Sequence, residues 1–210
     1  MDLQSVLSER RLLAIVRGRH AESVLESVLT LADAGVGLIE VSLTSAKALD
    51  AISRARTALG PETIIGAGTV VTAQDARDAR AAGAEFVVTP GLGDGALEAR
   101  HVSLPAIVGA LTPSEVIAAN AIGAVAVKLF PASALGGSEY LRALRAPFPG
   151  IPFVPVGGVD AESGRRYLEL GATAIGVGSP LIGDAADGGD LEALRERTRA
   201  FLRIAAEAGR

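Results

Sequence analysis

Strand-length apolar runs recur along the chain and alternate with longer amphipathic segments. The runs are rich in valine, isoleucine and leucine and are bounded by glycine or polar residues, which is the pattern of buried β-strands. They are LLAIV from residue 12, LIEVSL from 38, IIGAG from 64, EFVVT from 85, PAIVG from 105, AVAVKLF from 124, FVPVGG from 153 and AIGVGS from 174. The sequence therefore predicts eight strands at a spacing of roughly 20 to 30 residues.

The segments between the predicted strands have the composition and periodicity of helices. Ala, Leu, Arg and Glu dominate, with apolar positions at helical spacing, as in AESVLESVLTLADAG from residue 21. Thr112 and Asp160 carry the signals of a helix N-terminus. Glycines that precede the next strand mark helix ends that need a left-handed residue, at Gly35, Gly83, Gly123 and Gly171. Only DAADGGD, residues 184–190, reads as a loose polar stretch.

A strand followed by a helix eight times in succession predicts a parallel sheet. Eight such repeats in 210 residues favour closure of the sheet into a (β/α)8 TIM barrel of the α/β class. We expect a single domain over residues 1–210, closed by a C-terminal amphipathic helix at about residues 190–208. A doubly wound open sheet is the alternative, but no G-x-G-x-x-G fingerprint follows the first strand.

Composition and charge narrow the class of partner. Hydrophobic residues make up 49% of the chain, which is enough for one sizeable core. The net charge is −4 and no basic cluster with interleaved aromatic residues occurs, so we expect neither nucleic acid nor an acidic membrane surface as a partner. No run approaches a membrane span, and the first apolar run is too short for a signal peptide. The sequence therefore predicts a cytoplasmic protein that acts on a small molecule.

Candidate metal ligands are scarce. The absence of cysteine excludes disulfides and thiolate-bound metal centres. The only histidines are His20 and His101, and neither lies on a predicted strand. We expect both in loops or at the surface, and we expect neither a metal nor another cofactor.

One lysine interrupts the sixth predicted strand, AVAVKLF. Alternation of side chains places Lys128, together with Phe130, on the face toward the barrel lumen, and the same rule applied to LIEVSL places Glu40 there. Charged side chains are seldom buried without a reason. One explanation is a structural ion pair. The other is catalysis, because burial lowers the pKa of a lysine and a free amine attacks carbonyls, although an ionised Glu40 opposes that change. Glu40 is then the candidate acid–base group.

Glycine-rich motifs end the last two predicted strands. The motifs PVGG and GVGS place Gly157, Gly158, Gly178 and Ser179 there. Loops after the seventh and eighth strands are the recurrent phosphate site of TIM barrels, because glycine lets backbone N–H groups approach the anion. Either motif alone is equally typical of an ordinary turn, but together they favour phosphate.

Three further residues stand at strand ends, where barrel active sites lie. They are Arg17, Thr69 and Pro90. Arg17 is either a solvated surface residue or a guanidinium that forms paired hydrogen bonds with a substrate carboxylate.

Taken in order, these motifs identify a resemblance that covers nearly the whole chain. The motifs are LLAIVRG, IEVSL, IGAGTV, FVVTPG, LTPSE, VKLFPAS, PVGGV and GVGSPL. The chain resembles the family of 2-keto-3-deoxy-6-phosphogluconate (KDPG) and 4-hydroxy-2-oxoglutarate (KHG) aldolases, which includes a 6-phosphogalactonate branch. The resemblance implies a class I aldolase on a (β/α)8 barrel that forms a homotrimer, needs no metal and binds a phosphorylated keto acid and pyruvate.

The resemblance also implies a role for each candidate. Lys128 would be the Schiff-base lysine and Glu40 the acid–base group. The implied substrate-binding residues are Arg17 and Thr69 at the carboxylate end, Pro90 and Phe130 around the pyruvate pocket, and Gly157, Gly158, Gly178 and Ser179 at the phosphate.

Two positions depart from the gluconate-type pattern and leave the preferred C4 epimer open. Thr44 stands where many gluconate-type members have an arginine, and Val156 stands where they have threonine and is similar to the galactonate branch. From the residues alone, two other functions remain. One is a sugar-phosphate epimerase or isomerase that uses Glu40 as its base. The other is a barrel that binds a phosphate ligand without catalysis.

Overall fold

Eight parallel strands in the computed structural model form one sheet that curls until its edge strands meet. The structure describes residues 2–208; Met1, Gly209 and Arg210, which the predicted domain includes, lie outside the described residues. The strands are β1 (Leu12–Val16), β2 (Leu38–Ser42), β3 (Ile64–Gly68), β4 (Val87–Val88), β5 (Ala106–Ala110), β6 (Ala126–Leu129), β7 (Phe153–Pro155) and β8 (Ile175–Val177).

The sheet order shows a closed barrel. Strands β7 to β1 are neighbours in sequence order, β8 pairs with β1, and a parallel bridge between Val156 and Gly176 joins the β7 and β8 edges. The N–H of Thr173 also donates to the carbonyl of Phe153 at 2.9 Å across this seam. The predicted (β/α)8 barrel is therefore confirmed, and the doubly wound alternative is wrong.

Helices follow the strands and cover the outside of the barrel. Across residues 2–208 they are α1 (Leu3–Arg10), α2 (Ala21–Asp33), α3 (Ala48–Ala58), α4 (Ala73–Ala81), α5 (Asp94–His101), α6 (Pro113–Ala121), α7 (Gly137–Arg145), α8 (Ala161–Glu169), α9 (Ser179–Ile182) and α10 (Leu191–Glu207). The predicted helix starts are capped, because the side chains of Thr112 and Asp160 accept hydrogen bonds from the N–H groups of Glu115 and Ser163. The four predicted terminal glycines have positive φ angles. None of the helices among these residues combines the length and hydropathy that a membrane crossing needs.

Apolar side chains form two layers, one on each face of the sheet. Residues such as Val41 and Val127 pack outward against the helices, whereas Leu38 and Phe86 fill the lumen. Helix α1, which the sequence patterns did not predict, inserts Leu3 and Leu7 into the lumen cluster and closes the amino-terminal end of the barrel. The carboxyl ends of the strands therefore form the open end, where active sites of such barrels lie.

The polar stretch at residues 184–190 is ordered by its acidic side chains. Residues Ala185–Asp187 form a 3₁₀ turn, and Asp190 caps α10 by accepting hydrogen bonds from two N–H groups of its first turn. Asp187 accepts a 2.6 Å hydrogen bond from the N–H of Arg19. The stretch therefore holds the loop after β1 in place, and its interpretation as loose was wrong.

Candidate active site

Lys128 lies in the lumen near the open end of the barrel. Its side chain is only 6% exposed, and its neighbours across the sheet are Gly109 on β5 and Val154 on β7. The Nζ atom lies 4.9 Å from the centroid of the Phe130 ring, which forms one wall beside it. The position predicted by alternation along β6 is therefore the observed one.

Glu40 faces the same lumen from β2 and is 1% exposed. Its carboxylate lies against Gly68 of β3, where any side chain would overlap it. Atom Oε2 is buried and has no hydrogen-bond partner among the described residues. Because an unpartnered buried carboxylate oxygen is costly, this arrangement points to a functional role for Glu40.

Burial pushes both groups toward their neutral forms. It lowers the pKa of Lys128 below the ordinary 10.5, an effect that Arg17 strengthens and Glu40 opposes. It raises the pKa of Glu40 above the ordinary 4.5, against the opposing charges of Lys128 and Arg17. None of the ion pairs found within residues 2–208 includes either group. The arrangement therefore combines an amine that can act as a nucleophile with a carboxyl group that can exchange protons.

Hydroxyl groups line the ends of β2 and β3 next to Glu40. The Oγ atom of Ser42 lies 2.9 Å from Oγ1 of Thr69 and 2.8 Å from Oγ1 of Thr44. Thr69 has a φ angle of 58°, which is rare for a β-branched residue and costs about 1–3 kcal/mol. A strained backbone that persists at a strand end is typical of a functional position.

Pro90 is half-buried and lies over β5 next to Lys128. The backbone of Pro90 sits so close to Gly109 that a side chain at Gly109 would overlap it. The hydroxyl of Thr89 fastens this loop, since it donates to the carbonyl of Gly91 at 2.7 Å and accepts from the N–H of Gly109 at 3.2 Å. Pro90 therefore borders the space above Lys128.

A cavity of about 390 Å³ opens beside Phe130 at the ends of β7, β8 and β1. Six of the predicted site residues line it, namely Arg17, Phe130, Gly157, Gly158, Gly178 and Ser179. The N–H groups of the last four take part in none of the hydrogen bonds within residues 2–208. Gly157 and Gly158 have φ angles of 97° and 71°, which only glycine adopts readily. The cavity can therefore offer backbone N–H donors and a guanidinium to an anion.

Comparison with known proteins identifies the family. The family model described as "KDPG and KHG aldolase" matches residues 3–196. The chain belongs to this aldolase family. It is 34% identical over 198 residues to the KHG/KDPG aldolase of Escherichia coli K12, covering 93% of this chain and 92% of that one. The family and the enzyme class predicted from the motifs, a lyase, are thereby confirmed.

Two solved structures show the same barrel. One, described as native KDPGal, is 31% identical with a TM-score of 0.87 and covers 94% of this chain and 95% of that chain. The other is KDPG aldolase from Legionella pneumophila with pyruvate captured at low pH as a covalent carbinolamine. It is 27% identical with a TM-score of 0.87, and the match covers 95% of this chain and 98% of that chain.

In this aldolase the ten predicted site residues all lie at or near the carboxyl ends of the strands. Lys128 and Glu40 lie in the lumen, Thr69 and Pro90 follow β3 and β4, and the other six line the cavity. His20 and His101 are exposed, as predicted. Within residues 2–208, no three acidic or histidine side chains are grouped as a metal site.

Sequence reasoning missed several residues of the aldolase site. The alternation along LIEVSL that places Glu40 in the lumen also places Ser42 there but suggests no role for it, and nothing in the sequence pointed to Thr89. The glycines in IIGAG and PAIVG, Gly68 and Gly109, were assigned to strands without a function. A glycine on the lumen face of a strand is a usable signal, because it indicates a close approach by another group.

The charge of Arg17 is expected to influence the titration of Lys128 in the aldolase. Because this cation lowers the pKa of Lys128, removing it in Arg17→Leu should raise that pKa. With saturating pyruvate at low ionic strength, the pH at which adduct formation reaches half its maximum should therefore be higher. Arg17→Lys keeps the charge and should leave that pH near the wild-type value. If the two variants titrate alike, the influence assigned to the charge is wrong.

Proposed function

We propose that the protein is a class I aldolase that cleaves a 2-keto-3-deoxy-6-phospho sugar acid to pyruvate and glyceraldehyde 3-phosphate. The observation that supports it is the pair in the lumen: a buried lysine whose pKa is lowered by burial, and a buried glutamate with an unpartnered oxygen. An imine-forming enzyme needs a free amine and a group that exchanges protons beside it.

The first stage joins the substrate to the enzyme. The lone pair of Lys128 Nζ attacks the C2 ketone and gives a carbinolamine. Glu40 then transfers a proton to the C2 hydroxyl, which leaves as water while the iminium forms. The raised pKa of Glu40 favours this proton donation, because a larger fraction of the carboxyl is protonated near neutral pH.

The second stage breaks the C3–C4 bond. Glu40, now ionised, takes the C4 hydroxyl proton directly or through one water. The C3–C4 electrons form a C2=C3 double bond while the π electrons of the iminium move to its nitrogen, which gives an enamine and releases glyceraldehyde 3-phosphate. Protonation of the enamine at C3 and hydrolysis of the iminium release pyruvate and restore the amine. One carboxyl serves each step because all transfers occur around the same carbons.

The remaining predicted residues hold the two ends of the substrate. Thr69 and Arg17 bind the carboxylate, while Pro90 and Phe130 enclose the pyruvate portion. The N–H groups of Gly157, Gly158, Gly178 and Ser179 bind the phosphate, supported by their lack of other partners within the described chain.

A coupled assay with lactate dehydrogenase tests the function, because it reports each pyruvate released. The assay will also identify the preferred C4 epimer when 2-keto-3-deoxy-6-phosphogluconate and 2-keto-3-deoxy-6-phosphogalactonate are tested side by side. The epimerase and the silent binding barrel are not favoured, since the chain belongs to an aldolase family. Either would bind phosphate analogues without releasing pyruvate.

The homotrimer implied by the resemblance is supported by exposed apolar side chains on adjoining elements. These are Val71, Leu92, Leu97 and Ile117. The start of α5, which follows the loop that carries Leu92, is held to Val71 by a hydrogen bond from the N–H of Gly95 to the Val71 carbonyl at 2.9 Å. Leu97→Glu is expected to dissociate the trimer in size-exclusion chromatography with light scattering, whereas Ser53→Glu on α3 is not. A monomeric wild type would show that the trimer prediction is wrong.

The cytoplasmic location stays a prediction.

A further inference from the structure

Three hydroxyl groups form a continuous hydrogen-bonded chain at the open end of the barrel. Ser42 is the central member; it is fully buried and contacts Thr44 at 2.8 Å and Thr69 at 2.9 Å. Thr44 is exposed at one end and Thr69 is half-buried at the other. The substrate-binding roles proposed above include Thr69 but neither Ser42 nor Thr44.

The backbone holds this chain of hydroxyls in place. The Ser42 Cα pairs with that of Gly68 at the end of the β2–β3 ladder, and the N–H of Leu43 donates to the carbonyl of Gly68 at 2.8 Å. On the other side of Thr69, the N–H of Val70 donates to the carbonyl of Val88 at 3.1 Å. Thr69 is therefore fixed on both sides in its left-handed conformation, with its hydroxyl directed at Ser42.

The hydroxyl protons of this chain have three possible arrangements, because Ser42 can pass the hydrogen bonds along in either direction or accept from both threonines. Three hydroxyls carry three protons, and the two hydrogen bonds of the chain use two of them. If Thr44 donates to Ser42 and Ser42 donates to Thr69, the third proton is on Thr69 and is free to donate. In the reverse direction the free proton is on the exposed Thr44, and when Ser42 accepts from both threonines the free proton is on the buried Ser42. In both of these arrangements Thr69 has no proton to offer to another acceptor.

A carboxylate distinguishes between these three arrangements because it only accepts hydrogen bonds. We propose that Ser42 and Thr44 are positioning residues that, with Thr69, form a directed hydroxyl relay for the carboxylate of the substrate. Bound carboxylate selects the direction from Thr44 through Ser42 to Thr69, and each bond in such a chain polarises the next. Thr44 then accepts from water at its exposed end. The inference rests on the proposed function, since Thr69 must bind the carboxylate.

Pyruvate is the probe because it presents the carboxylate without the phosphate end. The amine of Lys128 condenses with the ketone and water leaves; hydride from borohydride then reduces the C=N bond to a secondary amine. The measured quantity is the pyruvate concentration that gives half-maximal trapping. Thr44→Val should raise it by roughly 2- to 4-fold, because it removes the polarisation of the charge-assisted bond from Thr69 to the carboxylate, although Thr44 lies outside that contact.

Two variants serve as matched controls. Thr44→Ser keeps the hydroxyl and should restore trapping to near the wild-type concentration. Thr57→Val makes the same substitution at an exposed threonine on α3 and should change nothing. An unchanged value in Thr44→Val, or a similar rise in Thr57→Val, would overturn the relay.

A double-mutant cycle separates the relay from a direct contact of Thr44 with the substrate. If Thr44 acts through Ser42, Thr44→Val adds nothing in the Ser42→Ala background. A full additional effect there would contradict the relay. If Ser42→Ala does not fold, Thr69→Val is the second background, with the same expectation. Wild type that forms no adduct at all would instead contradict the proposed function itself.

Discussion

Lys128→Met is expected to abolish both the trapping of pyruvate and the cleavage of substrate. Methionine fills nearly the same buried volume, so the barrel should fold, but it carries no amine to attack the ketone. Loss of a covalent nucleophile costs roughly 10⁴–10⁶-fold in turnover. The measurements are pyruvate release in the coupled assay and mass spectrometry of peptides after borohydride treatment with pyruvate.

The small number of lysines in the chain makes the modified residue easy to identify. Lys47 and Lys128 are its only two lysines. Lys47 is exposed at the start of α3, so Lys47→Met is the matched control and should keep both the adduct and the activity. A label on the Lys47 peptide, or an active Lys128→Met enzyme, would show that the assignment of the nucleophile is wrong.

The barrel could be predicted because its strands and helices are encoded locally. Each strand is a short apolar run, and the helices between them carry capping residues such as Thr112 and Asp160. Helix α1 escaped prediction because LQSVLSER is only eight residues long, too short for its apolar residues to establish a helical period. It is stabilised by a contact distant in sequence, the insertion of Leu3 and Leu7 into the lumen.

The candidate site likewise has features that follow from local sequence and features that depend on contacts between distant segments. Alternation along β2 and β6 placed Glu40 and Lys128 on the lumen face, because that rule needs only the sequence. The unpartnered oxygen of Glu40 depends on what lies across the barrel, and the Ser42–Thr69 hydrogen bond joins residues 27 positions apart. Such contacts follow from the pairing of β2 with β3, which no single segment specifies.

Glu40→Gln is expected to keep the covalent adduct while slowing turnover by about 10²–10⁴-fold, the contribution of a positioned acid–base group. Glutamine has the same shape and fits against Gly68, but it can neither donate nor accept the proton that each step needs. Borohydride trapping and the coupled assay measure the two effects separately. Glu98→Gln, at a half-buried glutamate on α5, is the control and should leave turnover unchanged.

Stability provides an independent check of the same residue. Because the folded pKa of Glu40 is above the unfolded value of 4.5, the folded state keeps a proton that the unfolded chain releases in the window between them. Stability contributed by Glu40 therefore falls as pH rises through that window. Glu40→Gln cannot ionise, so its stability relative to wild type in urea unfolding should be higher at about pH 8 than at about pH 4. If the difference in unfolding free energy between Glu40→Gln and wild type does not change with pH, burial does not raise this pKa. Separately, a Glu40→Gln enzyme that turns over as fast as wild type would show that Glu40 is not the acid–base group.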